Sequence, residues 1–166
     1  MGLQELTRFD SEVNWVKNMG KFYLTIKKNF KAISKGIGLV IGCSTFPTWN
    51  TVPGLFANLV AGNVSIVKPH PKSILPIAIV VAEMQKVLAK HNLPIAIVQL
   101  AVDTVENPIT KQLAEHQDVQ LIDYTGGSAF GDYIESIPDK TVFTEKAGVN
   151  SVILDSVADA KSVFGN

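Results

Sequence analysis

GIGLVIGCSTFPTWNTVPGLFANLVAGNVSIVKPHP, residues 36–71, is the stretch on which the fold turns. Ile37–Cys43 and Val64–Lys68 are short apolar runs without alternation, the pattern of strands buried on both faces of a parallel sheet. Between them, Val52–Ala61 carries its apolar residues at helical spacing and ends at Gly62, so the unit reads strand, helix, strand. No charged residue occurs from Gly36 to Val67, a span longer than the ~20 residues that cross a bilayer. It is not a membrane helix. Pro47 and Pro53 each remove a backbone hydrogen bond, and Asn50, Thr51, Asn58 and Asn63 need partners that lipid does not offer. Absence of charge here implies deep burial or contact with a ligand.

The same alternation continues outward. Ile95–Ala101, Val119–Tyr124 and Ser151–Leu154 read as further strands, with a short one at Lys140–Phe143. Ser73–Lys90, Pro108–His116 and Ser128–Glu135 read as crossover helices, each opened by a residue suited to a first turn. Right-handed crossovers between such strands give an α/β fold, a Rossmann-like open doubly wound parallel sheet, over residues 36–166. Its ligand site is expected at the carboxyl ends of the strands. Residues 1–35 differ in character: Phe22, Leu24 and Ile26 alternate with polar residues ahead of Lys27 and Lys28, as in an N-terminal arm or half-exposed strand.

Composition narrows the function. With 166 residues, 46% of them hydrophobic, the chain can bury a sizeable core. Lys plus Arg and Asp plus Glu both number 15, so no global field draws the chain to nucleic acid or an anionic membrane. The single cysteine, Cys43, excludes an internal disulfide and fits a reducing, cytoplasmic setting. The first ten residues lack the basic start, apolar run and cleavage site of a signal peptide. His70, His91 and His116 show no metal-ligand spacing with one another or with Cys43, so no metal is expected.

Four strand ends hold the residues with chemical potential. After the first strand comes Gly42-Cys43-Ser44-Thr45-Phe46-Pro47-Thr48-Trp49-Asn50, a proline-broken loop that either carries a site or covers the sheet edge. The second strand runs into Lys68-Pro69-His70-Pro71, where Pro69 holds Lys68 extended and aims its ammonium outward, placed to hold ribose or phosphate unless it is merely solvated. Tyr124-Thr125-Gly126-Gly127-Ser128 delivers the chain into a helix whose first amides suit a pyrophosphate, although paired glycines also serve steric needs alone and GxGxxG spacing is missing. Glu145 lies beyond the short strand in Thr144-Glu145-Lys146-Ala147-Gly148, as a base or as a surface carboxylate paired with Lys146 or water. Cys43, ending an apolar run with no histidine or lysine beside it, reads as a buried structural thiol.

Together Thr45-Phe46-Pro47, Ala61-Gly62-Asn63, Lys68-Pro69, Tyr124-Thr125-Gly126-Gly127 and Glu145-Lys146-Ala147-Gly148 resemble, in order and spacing, the Asn-Phe-Pro, Ala-Gly-Asn, Lys-Pro, Phe-Thr-Gly-Ser and Glu-Leu-Gly-Gly motifs of the aldehyde dehydrogenase superfamily. The variants Cys-Ser-Thr-Phe-Pro-Thr-Trp-Asn, Lys-Pro-His-Pro, Thr-Gly-Gly-Ser-Ala-Phe-Gly-Asp and Thr-Glu-Lys-Ala-Gly-Val-Asn are most similar to the PaaN-type enzymes of phenylacetic acid degradation. The resemblance implies a truncated cofactor-binding domain. It also implies oxidation of an aldehyde, formed when a ring-derived coenzyme A thioester is opened, to a carboxylic acid.

By that resemblance Lys68 and His70 face the adenosine ribose or its phosphate, Gly126, Gly127 and Ser128 line the pyrophosphate path, and Thr125 lies near the nicotinamide. Glu145 matches the general base that activates water against the thioester intermediate. The oxyanion-holding asparagine of the family falls on Thr45, whose hydroxyl has one proton to donate and a shorter reach. Many NAD-preferring relatives carry a glutamate where this chain has Pro71; its absence, with Lys68, His70 and Lys72 close by, favours NADP, NAD being the alternative. The nucleophilic cysteine of the family comes after the point reached at Asn166, and Cys43 does not align with it, so these residues alone are expected not to oxidise aldehydes. Two readings stay open: part of an oxidoreductase, or a non-catalytic nucleotide-binding or interaction module. Faces left bare by a missing catalytic segment imply self-association, as a homo-oligomer.

Overall fold

The structure, a computed structural model, describes residues 12–31, 33–149, 151, 153, 155 and 156. Two antiparallel strands, β1 (Glu12–Asn18) and β2 (Tyr23–Asn29), form a hairpin in which Trp15 lies opposite Ile26 and Lys17 opposite Leu24. The remaining elements follow as β3 (Ile37–Ile41), α1 (Pro47–Val60), β4 (Val64–Lys68), α2 (Leu75–Lys90), β5 (Val98–Leu100), α3 (Thr110–Glu115), β6 (Val119–Gly126), α4 (Ser128–Glu135) and β7 (Thr141–Lys146).

The five strands after the hairpin form one parallel sheet in the order β5-β4-β3-β6-β7. The chain runs from β3 outward through β4 to β5, then crosses back to lay β6 on the other side of β3. That reversal makes the β3/β6 boundary the switch point of a doubly wound sheet, where the loops diverge and leave a crevice.

Because successive side chains on a strand point to opposite faces, the sheet carries two cores. On one face Leu39, Ile41, Ile122 and Tyr124 pack with Ala114 of α3 and Ile134 of α4. On the other, Val67 and Val98 pack with Leu55 of α1 and Ile77 and Val81 of α2. Leu39, Leu55, Val67, Val98, Ile122 and Ile134 are all 0% exposed, as the unbroken apolar runs require of a sheet covered on both sides.

Most boundaries shift by two residues or fewer from the sequence expectation, and three shift by more. Only Val98–Leu100 of the expected Ile95–Ala101 strand pairs with β4; Ile95–Ile97 form a short 3-10 turn. Pro94, extended at φ −61° and ψ 125°, opens that turn, and an edge strand has one neighbour to hold it straight. Helix α1 starts at Pro47 rather than Val52 and carries Pro53 inside it. Pro47 supplies the φ of a first turn, and the buried stripe Thr51, Gly54, Leu55 and Asn58 holds the helix through the hydrogen bond that Pro53 deletes. Strand β7 continues to Lys146, three residues past Phe143, because Thr144, Glu145 and Lys146 pair in register with Tyr124, Thr125 and Gly126. Half of the expected Ser151–Leu154 strand, Val152 and Leu154, lies outside the described residues; Ser151 and Ile153 are exposed and not in a strand. Among the described residues no helix is long and apolar enough to cross a membrane.

Candidate functional site

Where β3, β4 and β6 end, their loops enclose a cleft of about 480 Å³. Six residues singled out from the sequence line it together: Thr45, Lys68, His70, Thr125, Gly126 and Gly127. Two others do not. Ser128 is exposed and its Oγ donates to the Ala147 carbonyl at 3.3 Å, tying the start of α4 to the chain beyond β7. Glu145 sits exposed near the carboxyl end of β7, in register with Thr125, so it shares the sheet edge without lining the cleft.

The glycine turn is shaped by Tyr124. Its hydroxyl donates to the Gly127 carbonyl at 2.9 Å, and a Cβ on Gly126 would stand 2.4 Å from that oxygen and 2.7 Å from the ring carbon bearing it. Only glycine fits there, whereas a Cβ on Gly127 would meet nothing within 4 Å. Gly127 caps α4 with no side chain on the first-turn amides. The N–H groups of Ser128, Ala129 and Phe130 therefore lack intrahelical partners and carry the positive end of the helix dipole. An uncapped helix start beside an open glycine turn is a donor set that fits a pyrophosphate. His70 adds to it: its Nδ1 accepts the Lys72 amide at 3.1 Å, which leaves Nε2 as the donor of a neutral ring.

Lys68 departs from the expectation that its ammonium points outward. Its side chain is 3% exposed, its Nζ lies 2.6 Å from Asp103 Oδ1, and it donates to the Pro69 carbonyl at 2.8 Å. The Asp103 contact is an ion pair off hydrogen-bond alignment. Asp103 Oδ2 accepts the Ile109 amide at 3.0 Å, and its carboxylate is 2% exposed although the residue as a whole is part-exposed. The extended backbone expected before Pro69 is compatible with an ammonium turned inward, because the buried carboxylate is a stronger attractor than water is at that depth. Asp103 was missed in the sequence because it stands in an irregular loop 35 residues after Lys68 with no motif around it.

Cys43 is also not the buried structural thiol expected. It is half-exposed and lines the cleft; Asn50 Nδ2 donates to its Sγ at 3.1 Å, and Sγ and Thr45 Oγ1 share a hydrogen bond at 3.5 Å. Burial pushes the thiol up, but hydrogen bonds from the Thr45 side chain, the Phe46 backbone, Asn50 and the Thr45 backbone outweigh it and set it below its ordinary value. The signal was the polar loop itself: α1 begins directly after it and turns Asn50 back toward the sulfur.

On the opposite face, Asp123 of β6 lies under α1, where a Cβ on Gly54 would stand 1.8 Å from Asp123 Oδ2. Burial pushes this carboxyl up, and the charge of Glu145 adds to the rise. Asp123 lines a smaller hollow of about 330 Å³ with Gly54, Lys35 and Phe143. Lys146 does not pair with Glu145; it bridges Asp132 at 2.8 Å and Glu135 at 2.9 Å on α4. Among the described residues no group of three His, Cys, Asp or Glu could hold a metal ion.

The sequence matches the aldehyde dehydrogenase family over residues 5–166. No curated protein matches it. Among solved structures it is similar to an NAD-dependent aldehyde dehydrogenase from Burkholderia multivorans, with 40% identity, a TM-score of 0.81, and coverage of 89% of this chain and 27% of that one. It is also similar to the glyceraldehyde-3-phosphate dehydrogenase GapN of Methanocaldococcus jannaschii complexed with NADP, at 22% identity, TM-score 0.66, covering 83% of this chain and 29% of that one. A propionaldehyde dehydrogenase from Clostridium phytofermentans follows at 21% identity, TM-score 0.64, covering 82% and 30%. The last two show the shared fold, and the chain spans 27% to 30% of the length of all three. A five-stranded parallel sheet with its cleft at the switch point, joined to a family match over nearly its whole length, makes this chain a member of the aldehyde dehydrogenase family, carrying its Rossmann-like domain.

Proposed function

We propose that this chain supplies the dinucleotide-binding surface of an NADP-dependent aldehyde dehydrogenase that oxidises an aldehyde to a carboxylic acid in phenylacetic acid degradation. The observation that carries the reading is the convergence of Thr45, Lys68, His70, Thr125, Gly126 and Gly127 on one cleft at the β3/β6 switch point. The bound dinucleotide would accept the hydride of the aldehyde. The amides of Ser128, Ala129 and Phe130 would hold the pyrophosphate, with Gly126 and Gly127 allowing close approach. Thr125, 9% exposed at the end of β6, would border the nicotinamide.

Thr45, exposed at the cleft mouth, would donate its one hydroxyl proton to a developing oxyanion. Glu145, free of Lys146, would take a proton from water at the same sheet edge. Cys43, the one cysteine of these residues, does not align with the family's nucleophile, so binding without turnover is expected of the 166 residues alone. That same observation favours the second reading, a non-catalytic nucleotide-binding module.

NADP is proposed over NAD because Pro71 offers no acid to repel a 2′-phosphate and because His70 Nε2 and the exposed Lys72 remain to meet it. The 40%-identical relative is described as NAD-dependent, which keeps NAD as the alternative. Self-association into a homo-oligomer is proposed through the hairpin: Val13, Trp15, Leu24 and Ile26 share one face, and Trp15 and Leu24 are 43% and 47% exposed. Isolated two-stranded hairpins are marginal in water, so such a face gains by a partner. The lone free cysteine supports a cytoplasmic setting. Calorimetry with NADP, NAD and a panel of aldehydes tests the reading: binding of a dinucleotide that Gly127→Val abolishes is expected, and a flat trace from correctly folded protein refutes it.

A further inference from the structure

We propose that Asp103 sets the choice between the two dinucleotides in this cleft, by cancelling the charge of Lys68. This rests on the dinucleotide reading above and deepens it. The two dinucleotides differ in one group: a 2′-phosphate carrying nearly two negative charges, or a neutral hydroxyl. Which one a cleft prefers therefore depends on the net charge at the ribose end, more than on shape.

Two lysines and a histidine stand near that end, and of the two cations Lys68 alone is buried. Lys72 is exposed, where solvent and salt screen it. His70 accepts an amide proton at Nδ1 and so presents a neutral donor. Lys68, 3% exposed on the cleft wall, is the one cation set where a charge acts at full strength. Asp103, 2.6 Å away and 2% exposed, reduces the net charge of that site to zero. The pair is held, not incidental: the second carboxylate oxygen takes the Ile109 amide at 3.0 Å, which anchors the loop that brings Pro108 and Thr110 to the cleft. Asp103 thus keeps the preference for the phosphorylated cofactor small.

The charge account makes opposite predictions for the two partners. Asp103→Asn retains an acceptor for the Ile109 amide and frees the ammonium; NADP binding should strengthen by about tenfold relative to NAD. Lys68→Gln leaves the carboxylate unbalanced and should shift the ratio by about tenfold the other way. Lys68→Gln/Asp103→Asn, an uncharged amide pair, should return the ratio to the wild-type value. A pair with a merely structural role moves both affinities together in each variant. Titration of the folded wild-type chain and the three variants with NADP and NAD, at low and at high salt, reads these ratios. The steeper salt dependence should appear for NADP with Asp103→Asn.

An unchanged ratio in Asp103→Asn with NAD binding retained overturns the proposal. Should that variant not fold, the amide pair decides: a ratio as low as that of Lys68→Gln alone means that Lys68 meets the phosphate directly, and the proposal falls. Failure of the wild-type chain to bind either dinucleotide removes the dinucleotide reading and this inference with it, which sets it apart from a ratio that stays constant.

Discussion

Breaking the buried Lys68–Asp103 pair should destabilise the fold severely. With side chains 3% and 2% exposed and a separation of 2.6 Å, neither group can recover its hydration if the other is removed. In Lys68→Ala the Asp103 carboxylate would keep one donor, the Ile109 amide at 3.0 Å, for its two oxygens. Leaving one member of a buried pair uncompensated costs about 3–5 kcal/mol, a large share of the ~5–15 kcal/mol that holds a domain together. For a chain of this size that is a fall of about 6–20 °C in Tm, and with a urea m-value of about 2 kcal/mol/M a midpoint lower by roughly 1.5–2.5 M.

Replacing Lys68→Met together with Asp103→Asn, which keeps an acceptor for the Ile109 amide, should cost far less than removing either charge alone, because the desolvation cost of both ions disappears with their attraction. Urea unfolding followed by circular dichroism on the two single variants and the double gives the coupling energy directly. A loss below about 1 kcal/mol in Lys68→Ala, or a double variant that loses the sum of both singles, would show that water reaches the pair and refute the burial on which these values depend.

Three further outcomes follow from the same geometry. Gly54→Ala, whose Cβ would stand 1.8 Å from Asp123 Oδ2, should destabilise by about 1–3 kcal/mol, and pairing it with Asp123→Ala should restore most of the loss in thermal melts. Asp123 has its folded-state pKa raised by burial and then by Glu145, so its neutral form is favoured by folding. Its contribution is therefore complete below the unfolded value near 4 and is lost as pH rises through the folded one. Asp123→Asn should raise Tm at pH 7 by about 1–3 °C and flatten the melting curve against pH on the alkaline side of 4, whereas a lower Tm at pH 7 would contradict the assignment. Gly126→Ala, whose Cβ would press on the Tyr124 ring at 2.4–3.2 Å, should weaken dinucleotide binding at least tenfold, and Tyr124→Phe, which removes the nearest atom, should recover part of it in calorimetry.

Much of the site was legible because its parts lie where chain chemistry changes abruptly. Lys68-Pro69 and Gly126-Gly127 each close an apolar run, and the strands of a parallel sheet all finish at one edge, so residues far apart in sequence meet there. The motif at Thr45 was readable for the same reason. Cys43 was misread because its surroundings come from Asn50, one helical turn inside α1, and the helix was expected to start at Val52 although Pro47 suits a first turn. Strand β1 gave only a short alternation, Glu12-Val13-Asn14-Trp15, which Val16 breaks, and all seven of its residues are exposed.

Apolar β-branched runs of three to eight residues, broken by proline and glycine and alternating with helical segments, determined by themselves that the chain would build a parallel α/β sheet, because such runs suit strands buried on both faces. Charge was decided only in three dimensions. Whether Lys68 is a free cation or a neutralised one depends on a carboxylate that the β5–α3 loop carries back across the sheet, and Coulomb energy depends on distance and burial, neither of which a one-dimensional pattern contains.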